Sequence, residues 1–286
     1  MRDDMFQASK LTGFIGAELS GLDLSQSITD EVALFLRESL SAYHVIVIRQ
    51  QYLSRSQQKV LTTVFGEIMQ LPYVSPIPED DDVIAVLKQA HEHNTGVFGG
   101  DWHSDFSFLE NPPAGSVLNA VDIPAVGGDT IWSNQAAAYR SLPEHLCEIV
   151  DNRPAVHVGK PYGVKYAPPE ETKANASMTM RRNDPAADRE IFHPAVIISP
   201  EAGEKALFLN PIYTTRFDGM SEAESKPYLA EIYQHCTRPD FACRHKWQVG
   251  DIVIWNNRTT LHYATNDYDG ARRLLYRTTF RRAAPQ

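Results

Sequence analysis

Cysteine is scarce in this sequence, which has three in 286 residues, at Cys147, Cys236 and Cys243. The number is odd, and no two of them have the Cys-x-x-Cys spacing of a metal or redox site. This pattern argues against a disulfide framework. We expect three free thiols in the reducing environment of a cytoplasm.

Long apolar runs are also absent. The longest aliphatic stretches, 45–48 and 252–254, have the length of a strand and are far too short to cross a bilayer. The N-terminal sequence MRDDMFQASK has acidic residues where a secretory signal peptide needs an apolar core. Together these absences predict a cytoplasmic protein with no membrane partner.

Basic residues are too few for a surface that binds nucleic acid. Lys and Arg number 27 against 36 Asp and Glu, which gives a net charge of -9 and argues against a nucleic-acid partner. A small anionic substrate remains possible, because a few buried arginines can bind one. The content of hydrophobic residues, 43%, is that of a globular protein, and no repeat or low-complexity linker divides the chain. We therefore predict a single domain over residues 1–286.

Helical signals lie mainly in the first quarter of the chain and in two later inserts. Residues 30–43 carry apolar side chains at helical spacing. Ser54 with Gln57 and Ser221 with Glu224 form the capping-box pattern, which predicts a helix after each serine.

The rest of the chain has short apolar segments separated by turns rich in Pro and Gly. The predicted strands are 44–49, 83–87, 116–122, 130–133, 195–199, 206–210, 251–256 and 273–280. Many short strands with helices mostly outside them favour a mainly β fold with flanking helices, such as a jelly roll. Residues around 159–189 have little periodicity and predict either a plain surface loop or a flexible active-site flap.

The segment Trp102-His103-Ser104-Asp105 carries the first chemical signal. On a strand, residues two apart share a face, so His103 and Asp105 would point the same way. An imidazole and a carboxylate on one face are two of the three ligands in the facial triad of non-haem Fe(II) oxygenases. His262, after the apolar strand 251–256, is the best candidate for the third ligand.

Two arginines that are four residues apart follow His262. Arg273 and Arg277 share one face of the predicted strand 273–280, and the opposite face is the more apolar. Simple patterning would point the arginines at solvent. In a barrel with a polar ligand cavity they would instead point inward and bind carboxylates through their planar N–H donors.

With these residues in this order, the chain resembles the Fe(II)/2-oxoglutarate-dependent dioxygenases of the taurine dioxygenase and 2,4-dichlorophenoxyacetate dioxygenase (TauD/TfdA) family. The family pattern is His-x-Asp, a later Thr or Ser, a distal His and then an Arg. Here 24 residues separate Asp105 from Thr130, another 131 precede His262, and ten more precede Arg273. The surrounding text WHSDFSFLENPPAG, VGGDTIWSN and HYATNDYDGARRLLYRTTF matches as well.

The resemblance implies a double-stranded β-helix (a cupin-like jelly roll) that holds Fe(II) through His103, Asp105 and His262. It assigns Thr130 and Arg273 to the cosubstrate 2-oxoglutarate, with O2 as the second cosubstrate. The implied reaction hydroxylates a substrate and releases succinate and CO2. Family members often form homodimers or homotetramers, and nothing in the residues themselves decides between these and a monomer.

The resemblance also implies a small anionic substrate, such as a sulfonate, a carboxylate or an aryloxyalkanoate, bound by Arg277. The predicted lining of its pocket is Leu71, Tyr73, Gly99, Phe208 and Tyr213. Taurine dioxygenase has His at the position of Leu71 and Asn at that of Gly99, so we expect a substrate larger or more apolar than taurine. Asn256 replaces the usual Asp of the family's Trp-Asp-Asn segment.

Two alternatives use the same residues. A non-redox zinc hydrolase could employ the His/Asp/His set, but Thr130 and Arg273 would then have no role. A binding protein that has lost catalysis could keep the fold, but it would not need an intact ligand set.

Overall fold

The computed structural model describes residues 6–93, 96–166, 177–200 and 203–281. In chain order the strands are β1 (Gln7–Lys10), β2 (Ala17–Ser20), β3 (Val45–Ile48), β4 (Glu67–Ile68), β5 (Ile84–Lys88), β6 (Gly115–Asp122), β7 (Thr130–Asn134), β8 (Pro154–His157), β9 (Ile191–Pro194), β10 (Val196–Ile198), β11 (Lys205–Leu207), β12 (Thr214–Phe217), β13 (Ala242–His245), β14 (Ile252–Asn256), β15 (Thr260–Ala264) and β16 (Arg273–Arg281). The helices are α1 (Asp30–Tyr43), α2 (Arg55–Thr63), α3 (Gln135–Arg140), α4 (Glu144–Asn152) and α5 (Glu222–Cys236).

The largest sheet contains eight strands. Its order is β1-β2-β3-β14-β6-β16-β4, with β5 paired to the side of β16. Strands β3 and β14 at its centre are apolar and fully buried, which is why their sequences VIVI and IVIWN read as uninterrupted hydrophobic runs. The β2–β3 pair is parallel, and the other pairs of this sheet are antiparallel.

A smaller antiparallel sheet, β13-β7-β15, packs against one face of the large sheet. The evidence is a single core cluster that joins Val45, Val253 and Leu275 of the large sheet to Trp132 and Cys243 of the small one. Sheet packing of this kind buries apolar side chains from both inner faces. The two sheets therefore form a sandwich, and β7, β15 and β16 carry several of the functional residues described below.

The predicted secondary structure is confirmed at most of the positions that were named. Helix α1 spans the predicted residues, and both capping boxes form, at Ser54 for α2 and at Ser221 for α5. Each of the eight predicted strands is present within a few residues of its expected bounds. Helices α3 and α4 follow β7, in a region for which no helix boundaries were predicted.

The predicted flap, 159–189, is described at both of its ends, while 167–176 lie outside the described residues. The two ends contact each other, since Gly159 N donates to the Ala187 carbonyl at 2.7 Å and Asp184 N donates to the Tyr162 carbonyl at 2.9 Å. The flap itself stays a prediction. No helix in the described ranges combines the length and apolar character needed to span a bilayer.

Gly115 at the start of β6 provides a test of the packing between β6, β14 and β16. A Cβ atom at this position would overlap the ring of Phe280 and the carbonyl oxygen of Trp255, which is backbone and cannot move aside. We expect Gly115→Ala to lower the free energy of unfolding by about 3 kcal/mol or more, as overpacked cores do. Gly13→Ala is the control, because nothing lies within 4 Å of the added methyl group. Denaturant unfolding of the two variants measures the difference, and equal stabilities would contradict this packing.

Candidate active site

Two backbone hydrogen bonds join His103 to His262. His103 N donates to the His262 carbonyl at 3.0 Å, and His262 N donates to the His103 carbonyl at 2.8 Å, so the pair forms an isolated antiparallel bridge. His262 lies on β15, whose position is set by its pairing with β7. The bridge brings the two imidazoles side by side with ring centroids 4.0 Å apart.

Asp105 reaches the histidines by a turn and not by a strand. The strand geometry under which His103 and Asp105 were expected to share a face ends at His103, because the chain bends into a turn at Asp105 and Phe106 takes a left-handed φ of 48°. The side chain of Asn257 holds this turn, since its Oδ1 accepts from Asp105 N at 2.7 Å and its Nδ2 donates to the Asp105 carbonyl at 3.0 Å. The carboxylate still faces His103, as the sequence predicted.

The three side chains form a group that fits a metal ion. Their ligand atoms all lie within 4.8 Å of one another, and all three residues are buried. Asp105 Oδ1 is 3.6 Å from His103 Nε2 and 3.8 Å from His262 Nε2. His103 Nδ1 lies 2.7 Å from the Asp101 carbonyl, which can only accept, so Nδ1 carries the proton and the Nε2 lone pair is left for a metal.

His262 is also prepared to act as a neutral ligand. Burial lowers the pKa of His262 well below its usual value, and His103 beside it has the same effect. Its Nδ1 is buried and has no hydrogen-bond partner within the described part of the chain. Two neutral imidazoles and one carboxylate are the donor set that non-haem Fe(II) favours, so the residues present fit that ion.

Arg277 forms a buried ion pair with Asp105. Its Nη2 lies 2.7 Å from Asp105 Oδ2 and its Nη1 donates to Asp105 Oδ1 at 3.1 Å. The other donors of the guanidinium contact the hydroxyl groups of Ser116 at 2.9 Å and Thr279 at 3.2 Å. Burial is the largest single effect and raises the pKa of Asp105, but Arg277, His262 and His103 together outweigh it and hold that pKa well below its usual range.

Arg273 is buried, and none of the described residues forms an ion pair with it. Its Nε donates to the Gly128 carbonyl at 2.9 Å, and its Nη2 lies 3.4 Å from the Thr130 hydroxyl. The guanidinium packs over the rings of Trp247 and Tyr268, and the described residues place no carboxylate within 4.0 Å of it. A buried cation with open donors beside a hydroxyl group is suited to bind a carboxylate.

Both arginines of β16 therefore point inward, since Arg273 is 3% exposed and Arg277 is 2% exposed. Simple patterning, which pointed them at solvent, fails here because this face of β16 lines a polar cavity. Thr130 is held in place by Trp247, whose Nε1 donates to its hydroxyl at 3.0 Å.

The residues predicted to line the substrate pocket fall into four places. Leu71 and Arg277 line one cavity of about 270 Å³, while Gly99 and Tyr213 line another of about 230 Å³ together with His103. Tyr73 stacks on Tyr162 at a centroid distance of 4.9 Å, in an aromatic cluster with Phe106, Phe108 and Tyr213. Phe208 lines neither of these cavities and packs on the buried His157 and the half-buried His193.

Asn256 and Asn257 have different tasks. Asn256, at the position where the family usually has Asp, accepts a hydrogen bond from Arg258 N at 3.0 Å and does not contact the His/Asp/His group through any of its hydrogen bonds. Asn257 is the residue that positions Asp105, and it was not among the predicted site residues. A buried amide directly between two strands was the only signal that could have pointed to it.

The model of the family described as taurine catabolism dioxygenase TauD, TfdA family, matches residues 7–279 of the chain. The chain belongs to this family.

Named relatives agree with the assignment. An alkylsulfatase from Acinetobacter baylyi is 34% identical over 96% of this chain and 84% of the relative. An alpha-ketoglutarate-dependent sulfate ester dioxygenase from Pseudomonas putida is 34% identical over 96% of this chain and 89% of the relative. The crystal structure of a taurine dioxygenase from Burkholderia xenovorans superimposes with a TM-score of 0.79 at 30% identity, covering 97% of this chain and 91% of that one.

These findings confirm the predicted fold class, a mainly β protein with a jelly-roll core. They also confirm the predicted reaction class, that of a dioxygenase dependent on 2-oxoglutarate (alpha-ketoglutarate). The roles of individual residues stay predictions, although the structure brings the three predicted metal ligands into one group.

The ion pair between Arg277 and Asp105 generates a prediction about metal affinity. The guanidinium competes with a divalent cation for the same carboxylate and also repels that cation. We therefore expect Arg277→Gln to bind Mn(II) at least about tenfold more tightly than the wild type. Arg281→Gln is the control, because Arg281 lies at the exposed end of the same strand and pairs with Glu67. Calorimetric titration of the metal-free proteins measures the change. Weaker binding by Arg277→Gln would mean that Arg277 holds Asp105 in place for the metal and does not compete with it.

Proposed function

We propose that this protein is an Fe(II)- and 2-oxoglutarate-dependent dioxygenase that hydroxylates a small organic anion and releases succinate and CO2. The observation that carries the proposal is the pairing of two buried features in one site. One is the His103/Asp105/His262 group, and the other is Arg273, which lies beside Thr130 and has no ion-pair partner in the described part of the chain. A zinc hydrolase would need the first feature but would leave the second without a role.

The residues have distinct tasks in this proposal. His103, Asp105 and His262 would hold Fe(II), which supplies the O2-dependent oxidation that no side chain of the site can provide. Arg273 and Thr130 would bind the carboxylate of 2-oxoglutarate that is remote from its keto group. Asn257 positions Asp105 through the two hydrogen bonds to its backbone.

The charges support this assignment. Two neutral imidazoles and one carboxylate leave Fe(II) with a net charge of about +1. Arg273 adds one positive charge, and 2-oxoglutarate brings two negative charges. With Arg277, which contacts Asp105, the loaded site keeps about one positive charge, and an anionic substrate would bring it close to neutral.

The substrate we propose is an organic anion with an apolar body, and a sulfate ester is the class that relatives favour. Two relatives that are 34% identical are named for sulfate esters or alkyl sulfates. Arg277 is the proposed receptor of the anionic group. In this structure its donors are engaged by Asp105, so Asp105 would have to exchange Arg277 for the metal before an anion could bind there. Leu71, Gly99, Tyr73 and Tyr213 would surround the apolar body.

Cellular location and assembly stay predictions. The sequence favours a cytoplasmic protein, and the family resemblance is compatible with a homodimer or homotetramer.

The first test is anaerobic titration of the metal-free protein with Fe(II) and 2-oxoglutarate. We expect a weak visible absorption band, because a keto acid that chelates Fe(II) through two oxygens gives a charge-transfer transition. Arg273→Gln should need at least about tenfold more 2-oxoglutarate to reach the same band, since it loses a buried ion pair with the cosubstrate. Arg244→Gln is the control, because Arg244 is exposed and pairs with Asp129. A folded, iron-loaded wild type without this band would contradict the proposal.

The second test separates the dioxygenase from the hydrolase. With hexyl sulfate as the probe, we expect succinate only when O2 is present, and we expect Asp105→Ala to form none because the metal loses its only anionic ligand. Succinate and hexyl sulfate consumption are measured together by chromatography. Consumption of hexyl sulfate without O2 or 2-oxoglutarate would favour the zinc hydrolase, and unchanged turnover by Asp105→Ala would refute the ligand assignment.

A further inference from the structure

A second arginine lines a cavity of the active site that Arg277 does not line. The cavity that contains His103, Gly99 and Tyr213 is also lined by Arg182. Arg182 is half-buried and follows the short β-bridge between Val74 and Met180. It was not among the residues predicted to bind the substrate.

The N–H groups of Arg182 have few strong hydrogen-bond acceptors among the described residues. Its Nη1 donates to the Pro161 carbonyl at 3.0 Å, and its Nη2 lies 3.8 Å from the sulfur of Met180. In the ranges that the structure describes, no carboxylate forms an ion pair with it. By contrast, three neighbouring arginines each hold one, namely Arg181 with Asp184, Arg189 with Glu110 and Arg216 with Glu190. Among the described residues, Arg182 is therefore the member of this group whose charge has no ion-pair partner, so it can bind another anion.

The rest of the cavity suits an apolar segment. Phe98, Met180 and Ile212 line it. Its lining includes one carboxylate, that of Asp101, which is exposed and does not pair with Arg182. An apolar wall with one available cation can bind an amphipathic anion, because the apolar body loses water while the charged end keeps a partner.

A series of contacts links the two arginines through the metal-ligand group. Arg277 contacts Asp105, Asp105 lies 3.6 Å from His103, and His103 lines the cavity of Arg182. A substrate whose reacting carbon sits at the metal could therefore extend in both directions and meet a cation at each end.

We propose that Arg182 is a second anion-binding residue of the active site, which receives an anionic group at the end of the substrate remote from Arg277. The proposal rests on the proposed function and narrows it. The substrate class becomes an organic dianion, in which a short apolar segment separates a sulfate or carboxylate at one end from a carboxylate at the other. Monoanions of the same length would bind through Arg277 alone and more weakly.

The test compares two probes of equal chain length, hexyl sulfate and 6-sulfooxyhexanoate, which differ in one terminal carboxylate. Binding to the protein loaded with Mn(II) and 2-oxoglutarate is measured by calorimetry without O2. We expect the wild type to bind the dianion about tenfold more tightly, as a half-buried ion pair would give. Arg182→Gln should lose this preference and keep the wild-type affinity for hexyl sulfate, while Arg182→Lys should keep part of it.

Arg181→Gln is the matched control, because it removes the same charge from the adjacent residue, which already pairs with Asp184. We expect it to keep the preference for the dianion. The proposal is overturned if Arg182→Gln keeps the preference too, or if both variants lose it equally, since the effect would then come from general charge.

The assay also separates this proposal from the proposed function. If hexyl sulfate binds to the wild type and the dianion binds no more tightly, only the role of Arg182 fails. If neither probe binds to protein that has taken up Mn(II) and 2-oxoglutarate, the anionic substrate class fails, and the role of Arg182 fails with it.

Discussion

The candidate site depends on the pair of backbone hydrogen bonds between His103 and His262. They connect two segments that are far apart in the chain, and they leave both imidazoles on one side of the bridge. Because β15 also pairs with β7, the same register that places His262 places Thr130 opposite Ala264, two residues further along the strand. One strand pairing therefore positions His262, a proposed metal ligand, and Thr130, a proposed cosubstrate ligand, and a slip of one residue would turn His262 away from the site.

The two arginines of β16 differ in how their charges are compensated. Arg277 neutralises a carboxylate that would otherwise be buried and unpaired, so the metal-free site can fold without a large desolvation penalty. Arg273 is a buried cation that depends on a carbonyl group, a hydroxyl group and two aromatic rings. Such contacts stabilise a guanidinium less than a carboxylate does. The fold thus holds one compensated charge and one that is still open to an anionic ligand.

Much of the framework could be predicted from the sequence because its signals are local. The capping boxes at Ser54 and Ser221 and the apolar runs of β3 and β14 each report on their own segment. The geometry of the site depends on residues that are far apart in the sequence. The turn at Asp105 depends on the left-handed backbone of Phe106 and on the amide of Asn257, which comes from a distant part of the chain. The partner of Arg277 and the distance of Phe208 from both cavities likewise follow from tertiary packing, which no spacing in the sequence encodes.

The recognition of anions by this protein has to be short-ranged. A net charge of -9 gives no long-range attraction for an anionic ligand, and exposed charges are screened within about 10 Å at moderate salt. The arginines that face the candidate site are instead buried or half-buried among aromatic and aliphatic side chains, where water competes weakly for their donors. Affinity should then come from contacts made after the ligand has entered and shed its water. Such a site discriminates by the spacing of the charges on the ligand and by the length of the apolar segment between them, because each misplaced group leaves a buried donor without a partner.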